Sequence, residues 1–163
     1  MPGTGNQEPW DRFVVYGIMA GFIIWIGIMP LDAQRFHWSP AFPLTLQFIG
    51  AAMLALSFFF FFRSYTDNTF LSPLVRIQEE RRQTVVSTGV YALVRHPLYL
   101  GGILMFLGTP LLLGSVCGII AGLALTILVM VRIAGEEALL SRELEGYRDY
   151  CRNVRFRLVP FVW

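Results

Sequence analysis

The chain contains no lysine. All 13 of its basic residues are arginine, set against 11 acidic residues, and the net charge over 163 residues is only +2. So small an excess gives no electrostatic case for a nucleic-acid partner or an acidic protein partner. Cysteine is scarce: Cys117 lies in an apolar run and Cys151 near the C-terminus. That spacing reads as two free thiols, not as a disulfide framework or a metal ligand set. His37 and His96 are the only histidines, and they lie too far apart in the pattern to suggest a metal site. No Gly-x-Gly-x-x-Gly follows a strand-like run, which removes the soluble dinucleotide-binding fold. Glu8 and Asp11 precede the first apolar run in place of a basic leader, so no cleaved signal peptide is expected.

What the chain has in abundance is apolar residues. They make up 55% of it, and its mean hydropathy is +0.57. The excess is gathered into four runs, at 13–31, 44–62, 98–113 and 116–131. Gathering of this kind marks membrane spans rather than a large soluble core. The expected fold is an all-α polytopic membrane protein with about four transmembrane helices, organised as a single domain over 1–163. Residues 1–12 form a flexible N-terminus, 63–97 a cytoplasmic linker and 132–163 a cytoplasmic tail. Trp10 and Trp38 flank the first run, where interfacial aromatics are common. Phe58 to Phe62 give the second run a lipid-facing end with no polar face. The third and fourth runs are short, so they read as a tight helical hairpin, with a shallow hairpin that does not cross the membrane as the alternative. Within the linker, 74–77 and 84–87 read as short strands or surface-lying segments. Helix is expected to continue from the fourth run to near Tyr150, and Pro160 to end regular structure in the tail.

Arginine placement sets the orientation. Eleven of the 13 lie in the linker or the tail, leaving Arg12 and Arg35. The positive-inside rule therefore puts linker and tail in the cytoplasm, together with both termini.

Two polar clusters carry the chemistry. In the first, Arg95, His96 and Tyr99 surround Pro97 at a helix entrance. Free N–H groups and partial positive charge at that point favour a carboxylate or phosphate. Interfacial anchoring of Arg95 and His96 is the plainer alternative. In the second, Glu136 and Glu137 follow the last run, with Arg132 one turn before Glu136 and able to pair with it. That pairing would leave Glu137 free to face a site, and an interfacial salt bridge is again the plainer reading.

An ordered series of features links these clusters. It begins with Asn68-Thr69-Phe70-Leu71-Ser72 and the segment 76–81, and continues through Thr88-Gly89-Val90-Tyr91 and Arg95-His96-Pro97-Leu98-Tyr99-Leu100-Gly101. Gly108-Thr109-Pro110, Arg132, Glu136-Glu137, Leu144, Tyr147, Tyr150 and Arg157-Leu158-Val159-Pro160 complete it. The series covers about 95 residues and resembles the membrane-bound isoprenylcysteine carboxyl methyltransferase family in its small bacterial branch. More remotely it is similar to phospholipid N-methyltransferases. The resemblance implies an S-adenosyl-L-methionine-dependent methyltransferase in a bacterial inner membrane, acting on an apolar or amphipathic carboxylate, thiol or amine. It implies that His96 and Tyr99 contact the methionine end of the cofactor, that the backbone of Tyr91, Ala92, Leu93 and Val94 lines its adenosine part, and that Glu136 and Glu137 face it. Arg95, Glu137 and Arg157 are the residues it implies for catalysis, the two arginines holding an acceptor carboxylate. The protein's partners are then the lipid bilayer and a lipid-like acceptor, with no metal. A nicotinamide-dependent membrane reductase and a non-enzymatic helical scaffold are the competing readings.

Overall fold

The computed structural model describes residues 8–72, 75, 82–159 and 162. The expectations for the segment 1–7, for a strand at 74–77 apart from Val75, and for a helix stop at Pro160 lie outside the described residues. Among the described residues five α-helices follow in chain order: α1 Pro9–Pro30, α2 Leu44–Asp67, α3 Pro97–Leu113, α4 Val116–Glu143 and α5 Tyr147–Asn153. The protein is all-α and polytopic. Three stretches are long and apolar enough to cross a membrane, Pro9–Phe36, Leu44–Asp67 and Val116–Glu143, while α3, at 17 residues, is a shorter apolar helix.

The third and fourth runs form a helical hairpin that turns at Gly114 and Ser115, with arms of unequal length. The apolar part of α4 ends where expected, but the helix continues through Glu136 and Glu137 for 28 residues in all. It stops at Leu144, and Gly146 adopts a left-handed conformation (φ 79°) before α5 begins. The single helix expected to run to Tyr150 is therefore broken. Residues 84–87 form no strand. α1 does not end in a loop: it continues as a π-helix over Leu31–Phe36, which His37 closes at φ 51°.

α2 packs on α3, α3 on α4, and α1 on α4. Proline and glycine set how closely they meet. Pro110 lies inside α3 and has no N–H, which leaves the carbonyl of Phe106 without its intrahelical donor. Trp25 of α1 supplies the missing bond, its Nε1 donating to Phe106 O at 3.2 Å. Gly122 of α4 makes the approach possible, because a Cβ there would collide with that same carbonyl. Trp25, Phe106 and Leu125, each no more than 6% exposed, form the centre of the apolar core. Gly50 and Gly108 bring α2 and α3 into backbone contact in the same way.

Each end of α4 carries a buried acid. At its start the first N–H groups meet side chains: Val116 N donates to Ser39 Oγ (2.7 Å), Cys117 N to Asp32 Oδ2 (3.0 Å) and Gly118 N to Ser115 Oγ (2.9 Å). Both serine hydroxyls in turn donate to Asp32 Oδ2 at 2.6 Å. The π-helical turn thus delivers a carboxylate to the positive end of a helix dipole and ties the α1–α2 connection to the α3–α4 turn. Near the other end lies the second polar layer, which includes the candidate site.

A candidate active site where α3 begins

Pro97 occupies the first position of α3, where its missing N–H costs nothing, and His96 is the N-cap residue without a capping hydrogen bond from its side chain. The first turn of α3 thus presents backbone donors to its surroundings. The approach to this turn is fixed from two directions. A 3-10 turn, Gly89–Ala92, is held by Val90 N donating to Asp67 Oδ2 at 2.9 Å, at the end of α2. Gly89 is required there on two counts, since its φ is 60° and a Cβ would strike the Asp67 carboxylate. From the other direction the C-terminal segment lies along the turn, with Arg95 N donating to Phe156 O and His96 N to Arg157 O, both at 2.9 Å.

These constraints converge on Glu137. Its Oε1 accepts from Arg95 Nε at 2.7 Å and lies 3.1 Å from His96 Nε2; its Oε2 accepts from Arg157 Nε at 2.7 Å. The Arg95 and Glu137 side chains are 9% and 10% exposed, so this pair is buried, whereas Arg157 reaches the surface at 35%. Arg95 also donates through Nη1 to Val154 O and Arg155 O. One carboxylate thus faces two guanidiniums beside the turn.

Beside this knot lies a cavity lined by Tyr91, Arg95, His96, Tyr99, Glu136 and Tyr147, among others. Glu136 accepts from the Tyr99 hydroxyl at 2.7 Å, and Arg132 turns its Nε to Asp11 Oδ1 at 2.9 Å. The expected Arg132–Glu136 pairing is therefore replaced, and the geometry of the acidic pair is reversed. Glu136 lines the cavity, while Glu137 is held by cations. The reason is register: 100° per residue puts the two carboxylates on different faces, and packing against α1 and the tail decides which face looks where.

Of the other residues expected at the site, Tyr91, Arg95, His96 and Tyr99 come together at the cavity. Ala92 and Leu93 are exposed and Val94 is buried at 2%, none of them lining it, and Arg157 reaches the site through Glu137. Tyr147 and Asn68 also line the cavity, although the sequence gave them no role there beyond their place in the motif series. The Tyr147 hydroxyl is buried with no oxygen or nitrogen partner among the described residues. Burial, followed by the nearby Glu137 charge, pushes its ionisation far up. Tyr150 is likewise raised, chiefly by burial, and donates to Tyr91 O at 2.7 Å. Both phenols keep their protons at neutral pH and act as donors. Burial also raises the Cys151 thiol, which leaves little thiolate for nucleophilic work.

The comparisons with known proteins fall on the same region. The model of the phospholipid methyltransferase family matches residues 45–145, which include α2 from its second residue, α3 and the whole of α4 with both Glu136 and Glu137. The chain belongs to this family. Among curated members, protein-S-isoprenylcysteine O-methyltransferase B of Arabidopsis thaliana is 30% identical over 134 residues, covering 79% of this chain and 63% of that protein. The enzyme of Rattus norvegicus named protein-S-isoprenylcysteine O-methyltransferase is 27% identical, covering 80% of this chain and 44% of its own length. The chain therefore spans about half to two thirds of the length of these relatives. Among solved structures, the eukaryotic intramembrane Ras methyltransferase ICMT superposes with a TM-score of 0.63 at 26% identity, over 96% of this chain and 54% of that one.

Proposed function

We propose that the protein is an S-adenosyl-L-methionine-dependent methyltransferase. It transfers a methyl group to a carboxylate, thiol or amine of an apolar or amphipathic acceptor at the membrane face that carries the linker and tail. The observation that carries the reading is the cavity at the start of α3. Within the family-matched segment, Tyr91, His96, Tyr99 and Glu136, from the motifs at both ends of it, line one space.

The residues present fit the cofactor. Its amino-acid carboxylate suits the N–H groups of a helix start, its amine and ribose hydroxyls suit the Glu136 carboxylate, and its adenine suits the tyrosine faces. The Tyr147 hydroxyl, 4% exposed and without an oxygen or nitrogen partner among the described residues, is a buried donor that such a ligand would satisfy. When bound, the cofactor supplies a methyl group already activated on a sulfonium. The work left to the chain is alignment and exclusion of water. Arg95, held by Glu137 and two backbone carbonyls, keeps a fixed positive charge beside the cavity. That charge suits an acceptor carboxylate, which is ionised at neutral pH and needs no general base. The names of the relatives, protein-S-isoprenylcysteine O-methyltransferase, support a carboxylate on a lipid-like group as the preferred acceptor. We assign the protein to the small bacterial branch and to an inner membrane, with both termini cytoplasmic. The motif resemblance and the gathering of arginine in linker and tail support this, while the relatives named above are from eukaryotes.

Calorimetric titration of detergent-purified protein tests the reading, with S-adenosylhomocysteine in one arm and a nicotinamide dinucleotide in the other. Saturable binding of the first alone is expected. Binding of the second alone would transfer the chain to the reductases, and binding of neither would leave a scaffold.

A further inference from the structure

We infer that Asp11, in the first turn of α1, is a positioning residue of the cavity. By holding Arg132 it leaves Glu136 to the Tyr99 phenol. The inference rests on the proposed function for its meaning, since the cavity is the cofactor site of that reading, but its geometry stands apart. α1 lies upstream of the family-matched segment, which begins at residue 45. Nothing in the motif series therefore assigns Asp11 a part.

Asp11 is fully buried. Its Oδ1 accepts from Arg132 Nε at 2.9 Å, and its Oδ2 accepts from the backbone N of Val75 at 3.2 Å. Val75 is a cavity-wall residue, and its carbonyl accepts from Glu8 N at 3.5 Å. The neighbouring Trp10 packs so closely on Gly135 that no Cβ would fit there. The start of α1 is thus seated against α4 one residue before the acidic pair.

Among the described residues, two acids are within reach of Arg132. Glu136, one turn along α4, is its natural helical partner by spacing. Asp11 comes from another helix, and the Arg132 Nε goes to it. The guanidinium carbon then stands 5.9 Å from the centroid of the Tyr99 ring, a cation–π distance, while Tyr99 donates to Glu136 at 2.7 Å. Removing the Asp11 charge would leave a guanidinium whose side chain is 12% exposed without that carboxylate. Among the described residues, the carboxylate left for it to turn to is Glu136, one turn along α4. That movement would draw Glu136 from Tyr99 and take the cation off the ring. Asp11 thereby sets the geometry of two cavity residues without touching the cavity itself.

The test is a fluorine resonance of 3-fluorotyrosine placed at position 99, recorded on the full chain in detergent. Asp11→Asn should shift or split the resonance. Asp32→Asn, an equally buried acid at the opposite end of α4, should leave it in place. In a Glu136→Gln background the effect of Asp11→Asn should shrink, because the competing partner is gone, a coupling that a general loss of stability would not produce. S-adenosylhomocysteine affinity should fall about threefold to tenfold in Asp11→Asn, the range of a lost cation–π contact. Should Asp11→Asn fail to fold, Arg132→Lys keeps a charge beside Asp11 but removes the planar group over the ring, and it must move the resonance. An unmoved resonance in a folded variant overturns the inference. A moved resonance in a protein that binds no S-adenosylhomocysteine upholds the positioning role and overturns the proposed function instead.

Discussion

Glu136 and Glu137 are neighbours in sequence and opposites in environment. Glu137 is buried and meets Arg95, His96 and Arg157, whereas Glu136 meets the Tyr99 hydroxyl at the cavity wall. Truncating one member of a buried, hydrogen-bonded ion network leaves uncompensated charge, at a cost of about 3–5 kcal/mol. Glu137→Gln keeps the volume and part of the hydrogen bonding, so a loss near about 3 kcal/mol is expected in denaturant or thermal unfolding, along with looser docking of the C-terminal segment. Glu136→Gln should cost less than about 1.5 kcal/mol, as for a single hydrogen bond, while still weakening S-adenosylhomocysteine binding. Equal stability losses in the two variants would show that the network around Glu137 contributes nothing beyond a single bond. Tyr147 gives a complementary case. Its buried hydroxyl has no oxygen or nitrogen partner in the unliganded protein, so Tyr147→Phe should leave the melting temperature unchanged or slightly raised. If the hydroxyl serves a ligand, the same variant should bind S-adenosylhomocysteine more weakly, and calorimetry beside the melt separates the two effects. The motif around Pro97 was legible in the sequence because a Pro at a helix start has a local cause. The partners of each glutamate were not, because they come from residues 20 to 42 positions away on other elements.

At the scale of elements, the apolar runs located α1 to α4 correctly, since hydrocarbon-length runs have one structural solution. Their ends were less legible. α2 runs past Phe62 to Asp67, and α4 past the apolar run to Glu143, because amphipathic turns continue a helix wherever tertiary partners cover the polar groups. The caps were hidden for the same reason: Asp32 follows the first apolar run with no local sign of a cap, yet it caps α4 across 85 positions of sequence. Helix contact turns on glycines of α2 and α3, and the structure sorts them. A Cβ at Gly50 would stand 2.6 Å from Gly108 O and 2.5 Å from Leu112 N, so Gly50→Ala must push α2 from α3. The expected cost is about 1–3 kcal/mol, that of overpacking. Gly102, one residue after Gly101 on α3, meets nothing within 4 Å. Gly102→Ala should therefore be neutral or stabilise by up to about 1 kcal/mol through helix propensity. Parallel unfolding curves of the two variants check the contrast, and a Gly50→Ala protein as stable as Gly102→Ala would mean that the α2–α3 contact is not tight.

Over the whole molecule, the two polar layers are separated by a membrane's thickness. Asp32 caps α4 at Cys117 and the acidic pair lies 20 residues along the same helix, which at 1.5 Å per residue is about 30 Å, close to the depth of a hydrocarbon core. The interval between them carries the bulk of the exposed apolar surface, including Ile23, Phe58, Ile120 and Ile127, as lipid contact requires. The layer at the Asp32 end has Arg35 as its neighbouring cation, whereas the other holds Arg95, Arg132 and Arg157, with Arg142, Arg148, Arg152 and Arg155 exposed beyond it. An arginine excess of that size retains its end on the side where the chain is made. The linker and α5 should accordingly face the cytoplasm, and the π-helical turn should face away. Single cysteines in a Cys117→Ser, Cys151→Ser background can report this. Gln34 and Asn153 are both exposed, the first on the π-helical turn and the second at the end of α5. An impermeant maleimide added to intact cells should label Gln34→Cys at once and Asn153→Cys only after the membrane is opened. Labelling of Asn153→Cys in intact cells would invert the topology. It would also put the cavity on the side that has no supply of S-adenosyl-L-methionine, so the proposed reaction could not proceed there. Labelling of both positions before permeabilisation would require an even number of crossings between them, as when α2 and α4 cross and the shorter α3 does not.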